Sequence, residues 1–254
     1  KELKKSKFFN YKKYVNFDKL KKNDYQLIVN CDFDHKLTRK YFSNTIEKNY
    51  NSFAHITIIE HKKIIPNNTA IQIFTNKGPI AFLPMSNTRT SIVYSLRSTS
   101  NKYNLDVNSL IKKFNPKYKI IKIDSISKFK LKSSNLRRYY KNNILAFGDL
   151  LHKIHPLAGQ GFNMSVRDIR ELVSLINNKI NLGLDLDSSV CIDFENKMKN
   201  KNYLFSKGVD WVYEFFNLES RIKSKFLSKS LILISKNKSI NGFLKKIADI
   251  GLQV

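Results

Sequence analysis

The chain has 254 residues, of which 42% are hydrophobic and 26% are charged, and these values are typical of a globular protein. No apolar run approaches the ~18 residues that a membrane-spanning helix needs, and a chain of this length can bury a substantial core. The formal net charge is +26, but the lysines are scattered and form no arginine-rich stripe. We therefore expect a soluble fold that does not bind nucleic acid, and an anionic membrane surface is a better candidate partner.

The cysteine content argues against both a disulfide framework and a zinc site. Cys31 and Cys191 are the two cysteines of the chain, and neither belongs to a CxxC pair. We expect both to be buried free thiols in a reducing cytoplasm.

The first half of the chain is predicted to be rich in strands. Residues 24–31, DYQLIVNC, are typical of a buried strand, and a polar turn and the charged segment LTRKYF follow it. Four β-branched or aromatic runs separated by Asn, Gly and Pro predict an antiparallel sheet: HITIIEH, AIQIFT, PIAFLPM and TSIVYSL. A short helix near Val107 to Phe114 is expected next, and the run IIKIDSISKFKL then predicts one more strand.

The stretch NNILAFGDLLHKIHPLAGQGFNMSVRD, residues 142–168, carries the chemistry. Four apolar residues lead into Gly148 and Asp149, a His-, Pro- and Gly-rich loop follows, and helical periodicity begins at Phe162. The apolar stripe of that helix comprises Val166, Ile169, Leu172, Val173 and Ile176.

Two kinds of polar contact are available in this stretch. A carboxylate at the end of a strand accepts hydrogen bonds from hydroxyl groups, while the N–H groups and positive dipole end of a helix attract electron-rich groups. A polyol beside an anionic ring fits both, so the residues indicate a flavin as one of several anionic ligands. The alternative for Gly148 and Asp149 is a helix N-cap, and the alternative for Gly159 and Gly161 is a turn that needs positive φ.

The polar residues around the loop have other interpretations. His152 and His155 have an i, i+3 spacing that invites a metal, but no third ligand follows at a useful distance, so zinc is not expected. We expect His155 to fix the turn before the proline that follows it, and His152 to make a helix or loop contact. Arg167 and Asp168 are interpreted either as part of the ligand-side helix or as a surface pair.

The segment GDLLHKIHPLAGQGFN, residues 148–163, resembles the second flavin-binding motif of the class A flavoprotein aromatic monooxygenases, in which GDAAH is followed by Pro and by G-x-G-x-N. The form IHPLAGQGxN, with Arg-Asp four residues after the Asn, is most similar to the ubiquinone-biosynthesis hydroxylases. Three further segments extend the resemblance over nearly the whole chain: LIVNCDFDHKLTRKYF, GPIAFLPMSNTRTSIVYSL and DFENKMKNKN.

The resemblance implies an α/β fold. Its parts are an incomplete Rossmann-like FAD-binding domain of the para-hydroxybenzoate-hydroxylase type, an antiparallel β-sheet substrate domain and C-terminal helices. The implied segments are a remnant of the FAD-binding domain at 1–50, the sheet domain at 51–138, the flavin motif and its helix at 139–178, and a helical region at 179–254. None of the 8 glycines forms the GxGxxG fingerprint that seats the ADP half of FAD, so we expect a chain that begins within a longer protein.

The resemblance also implies the cofactor contacts. Asp149 would bind the ribityl hydroxyls of FAD, Pro156 would lie against the flavin ring, and the start of the following helix would face its pyrimidine edge. The complete implied set is Gly148, Asp149, Pro156, Gly159, Gln160, Gly161, Phe162 and Asn163. Asp32 stands outside this set because Phe33 replaces the glycine of the family's Asp-Gly pair. No catalytic side chain and no metal ligand is implied.

The implied function is hydroxylation of the aromatic ring of a polyprenyl phenol in ubiquinone biosynthesis, with FAD as cofactor and NAD(P)H and O2 as co-substrates. The sheet from about residue 52 to 97 would cover the substrate, with Pro84 and nearby apolar residues as candidate lining, and core packing of these residues is the alternative. One alternative is a hydroxylase of another aromatic substrate. The other is a noncatalytic flavoprotein-like scaffold, and Phe33 and the missing GxGxxG favour this second alternative.

The segment 221–252 mixes apolar positions with many lysines, and this pattern is relevant to the cellular location of the protein. This pattern predicts either an interfacial helix or a solvated helical pair. We expect a cytoplasmic protein. A peripheral position at the inner face of the membrane and contacts with other ubiquinone-biosynthesis proteins are the finer hypotheses.

Overall fold

The computed structural model describes residues 5–12, 25–97, 106–156 and 159–222. The elements of these ranges are, in chain order, β1 (Ile28–Asn30), α1 (Lys36–Tyr41), β2 (Thr45–His61), β3 (Ile71–Thr75), β4 (Gly78–Pro84), β5 (Arg89–Arg97), α2 (Val107–Lys113), β6 (Ile120–Ile123), β7 (Ser127–Leu136), β8 (Tyr140–Lys141), β9 (Ile144–Ala146), β10 (His152–Lys153), α3 (Gln160–Asn181) and α4 (Ser188–Ile222). A short 3-10 turn at Gly148–Leu150 separates β9 from β10.

A small sheet holds the first predicted strand and the strand before Gly148. Its order is β1-β9-β8, in which β1 and β9 are parallel, with Ile28 opposite Ile144, and β8 is antiparallel to β9. All three residues of β9 are buried. They share one apolar core with α3 and α4, which contribute Leu172, Leu175, Phe194 and Met198. The strand before Gly148 is confirmed, and the continuous apolar character of β9 reflects burial on both of its faces. The first strand is also present, but it has three residues and Val29 is 43% exposed, so the prediction that it is buried is wrong.

A larger antiparallel sheet has the order β10-β7-β2-β5-β4-β3, with β6 also paired to β2. The four predicted runs of the antiparallel sheet are confirmed, although β2 extends over 17 residues and begins well before HITIIEH. It crosses the expected segment boundary between residues 50 and 51, and the segment boundaries stay a prediction.

The run IIKIDSISKFKL forms two strands, so the prediction of a single strand is wrong. The strands β6 and β7 lie end to end along the same edge of β2, where Ile59 pairs with Ile123 but Ile56 pairs with Ser127. The register therefore shifts by one residue at Asp124, whose N–H donates to the Ile58 carbonyl at 3.0 Å.

The two faces of the large sheet differ in what covers them. Helix α2 packs on one face, where the core contains Ile59, Ile80, Phe82, Ile92, Tyr94 and Ile111. Because side chains alternate along a strand, Ala81, Leu83 and Val93 lie on the opposite face. Pro84 falls on the side of Ile80 and Phe82, so alternation does not support it as substrate lining.

The remaining predictions are corrected in detail. The segment LTRKYF, predicted only as charged, forms most of α1, and its N-cap is His35, whose ring nitrogen Nδ1 accepts from the Leu37 N–H at 3.2 Å. Cys191 is buried as expected, but Cys31 is exposed because it follows the edge strand β1. Within the described ranges, no helix is long and apolar enough to cross a membrane.

Candidate cofactor site

The segment after β9 is a tight turn that leaves one carboxylate open. The Phe147 N–H donates to the Asn30 carbonyl at 2.9 Å, which ties the end of β9 to the end of β1. Gly148 has φ 66, a left-handed conformation that favours glycine. Asp149 is exposed, and its carboxylate has no hydrogen bond or ion pair with the described residues. The N-cap alternative is not observed, because Phe147 precedes the 3-10 turn and Asp149 caps no N–H group.

The start of α3 is a second open polar feature. Gly159 precedes the helix with φ 65, no side chain caps the first turn, and no acidic residue lies in it. Gly161 lies inside the helix, where an added Cβ would meet only Ile154 at 3.9 Å. The positive-φ interpretation is therefore confirmed for Gly159 and wrong for Gly161. A 22-residue helix presents its first N–H groups and its positive dipole end at this point.

The other residues implied as cofactor contacts line this helix start. Pro156 and Gln160 are half-buried, whereas Phe162 and Asn163 are exposed. The side-chain oxygen Oε1 of Gln160 is buried and has no hydrogen-bond partner within the described part of the chain. Leu157 and Ala158 lie outside the described residues, so the site comprises the residues on either side of them.

A buried hydrogen-bonded triad connects the turn to both long helices. His152 Nε2 lies 2.6 Å from Asp168 Oδ2, and the Asn202 amide donates to Asp168 Oδ1 at 2.9 Å. All three side chains are buried, so Asp168 is not part of a surface pair, and that alternative is wrong. His152 makes the helix contact that was expected of it. In the ranges the structure covers, no group of three or more His, Cys, Asp and Glu side chains could hold a metal ion.

Arg167 contacts an aromatic ring of α4. Its guanidinium carbon lies 4.2 Å from the centre of the Phe205 ring on α4, a cation–π contact. Burial lowers the pKa of Arg167, and the neighbouring Asp168 carboxylate opposes that effect. Arg167 and Asp168 therefore bind α3 to α4 through different contacts.

His155 is almost fully buried, with 1% of its surface exposed. Burial lowers the pKa of His155 to about 4, so the ring is neutral at physiological pH. It packs between Tyr50 and Tyr213, which sequence reasoning did not connect with the loop. Asp210, which accepts a hydrogen bond from Tyr50, was also missed. Tyr50 and Asp210 lie 160 positions apart, and no local pattern indicates such a pair.

Asp32 lies at the same edge of the small sheet as Asp149, since each follows the carboxyl end of one of two parallel neighbouring strands. Ligands of open α/β sheets bind at this edge. The Asp32 carboxylate accepts from the Asp34 N–H at 2.9 Å and so forms part of its own turn. Phe33 does not have positive φ, and the Lys153 ammonium lies 4.1 Å from its ring centre. The backbone here does not require the glycine that the resembling family carries.

Residues 24–181, more than half of the chain, match the family model described as an FAD binding domain. The chain belongs to this FAD-binding family. The membership confirms the family resemblance, and the cofactor that the family binds is FAD. The open carboxylate of Asp149 and the uncapped start of α3 fit that cofactor, since one accepts from hydroxyls and the other attracts electron-rich ring atoms.

Curated relatives of this FAD-binding chain include two ubiquinone-biosynthesis proteins. The ubiquinone biosynthesis monooxygenase COQ6 of Xenopus tropicalis is 24% identical over 234 residues, which cover 76% of this chain and 50% of the relative. The 3-demethoxyubiquinol 3-hydroxylase of Escherichia coli K12 is 28% identical over 159 residues, which cover 60% and 41%. The chain spans about half the length of the curated relatives it matches.

Solved structures share the fold. The p-nitrophenol 4-monooxygenase PnpA of Pseudomonas putida DLL-E4 has a TM-score of 0.70 at 10% identity, covering 90% of this chain and 60% of that one. A single-substitution variant of HpxO from Klebsiella pneumoniae, solved in complex with FAD, has a TM-score of 0.63 at 12% identity, covering 88% and 61%. The expected α/β architecture, with its antiparallel sheet and C-terminal helices, is therefore confirmed.

Proposed function

We propose that this chain provides the ring-binding and substrate-covering part of an FAD-dependent monooxygenase that hydroxylates a polyprenyl phenol in ubiquinone biosynthesis. The observation that supports it most is the open Asp149 carboxylate beside a glycine-initiated helix, in a chain similar to two ubiquinone-biosynthesis enzymes. The bound flavin would supply the redox chemistry, with NAD(P)H as reductant and O2 as the oxygen source.

The residues of the chain bind and orient. Asp149 accepts hydrogen bonds from the ribityl hydroxyls, and its exposure leaves it accessible to them. The N–H groups of the first turn of α3 stabilise negative charge on the pyrimidine edge of the ring. Pro156 restricts the loop that approaches the ring. No side chain of the chain is assigned a proton-transfer step, so the protein acts by positioning and by excluding water.

The face of the large sheet opposite α2 is the proposed cover of the substrate. Ala54 on this side packs with Tyr50 and Leu131 against Tyr213 of α4, so the sheet side and the His155 loop meet in one cluster. Ala81, Leu83 and Val93 on the same face would supply apolar contact to an aromatic ring.

The membrane is the proposed source of the substrate. A tail of many prenyl units cannot be wholly enclosed by a domain of this size, so it would emerge toward lipid from a protein with a net charge of +26. A peripheral position at the inner face of the membrane, and contacts with other ubiquinone-biosynthesis proteins, follow as proposals. The segment 221–252, expected to be either an interfacial helix or a solvated helical pair, lies outside the described residues except for its first two positions.

The deciding experiment is deletion of the gene in its host with profiling of quinone lipids. A polyprenyl phenol that lacks one ring hydroxyl should accumulate while ubiquinone falls, and the intact gene should restore both. Normal ubiquinone without that intermediate, in a host with no second hydroxylase, would contradict the proposal. Flavin bound to the full-length protein would then favour another aromatic substrate, whereas absence of flavin would favour the noncatalytic scaffold.

A further inference from the structure

A buried polar cluster joins the loop before Pro156 to the substrate-side strand and to the last helix. We call it the Tyr50 cluster, and its members are Tyr50, Ser52, His155, Asp210 and Tyr213. Two of them lie on β2, one on the loop after β10 and two on α4. Every member is buried. The cluster is therefore a contact among three separate parts of the fold.

Ring contacts hold His155 in the centre of the cluster. The Tyr50 ring meets it edge to face, with centroids 4.9 Å apart, and the Tyr213 ring stacks on it at 4.3 Å. The Tyr213 hydroxyl lies 3.0 Å from Ser52 Oγ, which ties α4 back to β2. Both ring nitrogens of His155 lack a hydrogen-bond partner among the described residues, so the ring is held by packing and not by hydrogen bonds.

The Tyr50 hydroxyl is the polar centre of the cluster. It donates to Asp210 Oδ1, and the Lys207 ammonium lies 4.0 Å from the other oxygen of that carboxylate. Burial, followed by the bond to Asp210, raises the pKa of Tyr50 well above its usual value. Ser133 and the main chain of His155 oppose that rise in pKa. Tyr50 is thus bonded to α4 through its hydroxyl and packs through its ring on His155, the residue before Pro156.

Burying polar side chains in such a cluster costs free energy. A buried carboxylate and hydroxyl lose their hydration, and well-packed apolar residues of similar volume often stabilise a fold as well or better. Their geometric effect is different, because a hydrogen-bonded network permits one arrangement of the parts it connects.

We propose that Tyr50 is a positioning residue: its hydroxyl, held by Asp210, fixes the His155–Pro156 segment relative to β2 and α4. The loop that carries the proposed ring contacts then keeps a constant distance from the sheet that would cover the substrate. This inference rests on the proposed function, because it assigns a role to the spacing between the flavin ring and that sheet.

The test compares two buried tyrosines in full-length protein. Tyr50→Phe removes the central hydroxyl and leaves the ring. Tyr94→Phe is the matched control, since Tyr94 is fully buried in the core beneath α2 and its hydroxyl lies 3.1 Å from Thr75 Oγ1. Asp210→Asn is the conservative variant, because an amide oxygen still accepts from Tyr50.

Two readouts separate positioning from simple destabilisation. In flavin-free protein, Tyr50→Phe should speed amide exchange at His155 by about tenfold, because the ring that packs on His155 loses its bond to Asp210. In flavin-loaded protein, the same variant should shift the visible flavin spectrum and lower kcat by about ten- to a hundredfold with a much smaller change in KM. Tyr94→Phe should lose thermal stability to a similar extent but leave the exchange rate, spectrum and kcat within about twofold of wild type. Asp210→Asn should retain most of the wild-type kcat.

The outcomes are distinguishable from failure of the proposed function. Equal effects of Tyr50→Phe and Tyr94→Phe on exchange and on the flavin spectrum would overturn the positioning role. Wild-type protein that binds no flavin would overturn the proposed function instead, and the exchange measurement would still decide whether Tyr50 fixes the loop.

Discussion

The two faces of α3 reverse the usual distribution of polar and apolar side chains. The inward face carries Asp168, fully buried and bonded to His152 and Asn202, beside the apolar Met164, Leu172 and Leu175. The outward face carries apolar residues with large exposed fractions: Phe162 77%, Val166 37%, Ile169 50%, Val173 49% and Ile180 56%. Apolar residues at this spacing form one continuous stripe along a helix.

This difference shows how the helix is held within the described residues. Hydrogen bonds and a minority of the apolar side chains fix it from the inside, whereas most of the stripe that the sequence displays remains uncovered. The predicted helix is confirmed, and the structure places Val166, Ile169 and Val173 of its apolar stripe on the exposed side. The buried triad explains this orientation, because Asp168 can face inward only if those residues face outward.

The largest expected effect comes from breaking the inward face. Asp168→Ala should lower the free energy of unfolding by about 3 kcal/mol or more, because His152 and Asn202 would remain buried without a partner. Urea unfolding of the chain measures this loss. Arg170→Ala, an exposed position on the same helix, is the control and should change stability by less than about 0.5 kcal/mol. Equal losses for the two variants would contradict the importance of the triad.

Acid should weaken the loop that leads into α3. The pKa of His155 falls from 6.5 to about 4 on burial, so between those pH values the unfolded chain takes up a proton that the folded chain does not. The contribution of His155 to the free energy of unfolding is complete above pH 6.5, declines as the pH falls and is lost by about pH 4. This contribution is on the order of 3 kcal/mol. His155→Phe should flatten this part of the curve, while Tyr50 and Tyr213, which face the ring, and Asp210, which is bonded to Tyr50, remain in both proteins.

The matching measurement is the difference in unfolding free energy between wild type and His155→Phe at several pH values. A difference that stays constant from pH 7 to pH 4 would show that His155 is not the titrating group.

The Asp149 carboxylate should matter for cofactor retention and not for folding. In full-length protein, Asp149→Ala should weaken FAD binding by about 1.5–3 kcal/mol, because its hydrogen bonds to ribityl hydroxyls are charge-assisted. Flavin content after purification and titration with FAD measure the change. Asp185→Ala, an exposed acidic position in the loop before α4, is the control. Unchanged flavin content in Asp149→Ala would remove this residue from the site.

The smallest effect on stability is expected at the outward face. Ile169→Gln combined with Val173→Gln should change the unfolding free energy of residues 1–254 by no more than about 0.5 kcal/mol per site, since both side chains are half exposed. The same variant should bind less of a hydrophobic dye, because it removes apolar area from the stripe. A large loss of stability would mean that other parts of this chain cover the stripe.

Titration with FAD also tests how well residues 1–254 bind the cofactor by themselves. Since the chain has no GxGxxG sequence, residues 1–254 alone should bind FAD poorly. Micromolar or tighter binding by this chain would contradict that expectation.

Local patterns predicted the strands because alternation and β-branched residues specify them within a few positions. They also predicted the positive φ of Gly159, which favours a residue without Cβ, but not that of Gly148. The start of β2 was missed because KNYNS is polar, although Lys48, Asn49 and Ser52 of this run pair with β7. The Tyr50–Asp210 bond was missed because its partners are distant in sequence, and the burial of Asp168 was missed because a charged residue on a helix is usually exposed.

The 3-10 turn at Gly148–Leu150 stands between strands that belong to different sheets, since β9 pairs with β1 and β10 pairs with β7. Side chains in β10 alternate, so one inserted residue before His152 would send its ring outward, and one deleted residue would put Lys153 in the position that faces Asp168. Substitution within the turn is compatible with this arrangement, as Leu150 and Leu151 illustrate in place of the alanines of the resembling motif. Insertion or deletion within the turn is not compatible with it. The spacing from Gly148 to His152 is therefore the reference against which distant homologues of this chain should be aligned.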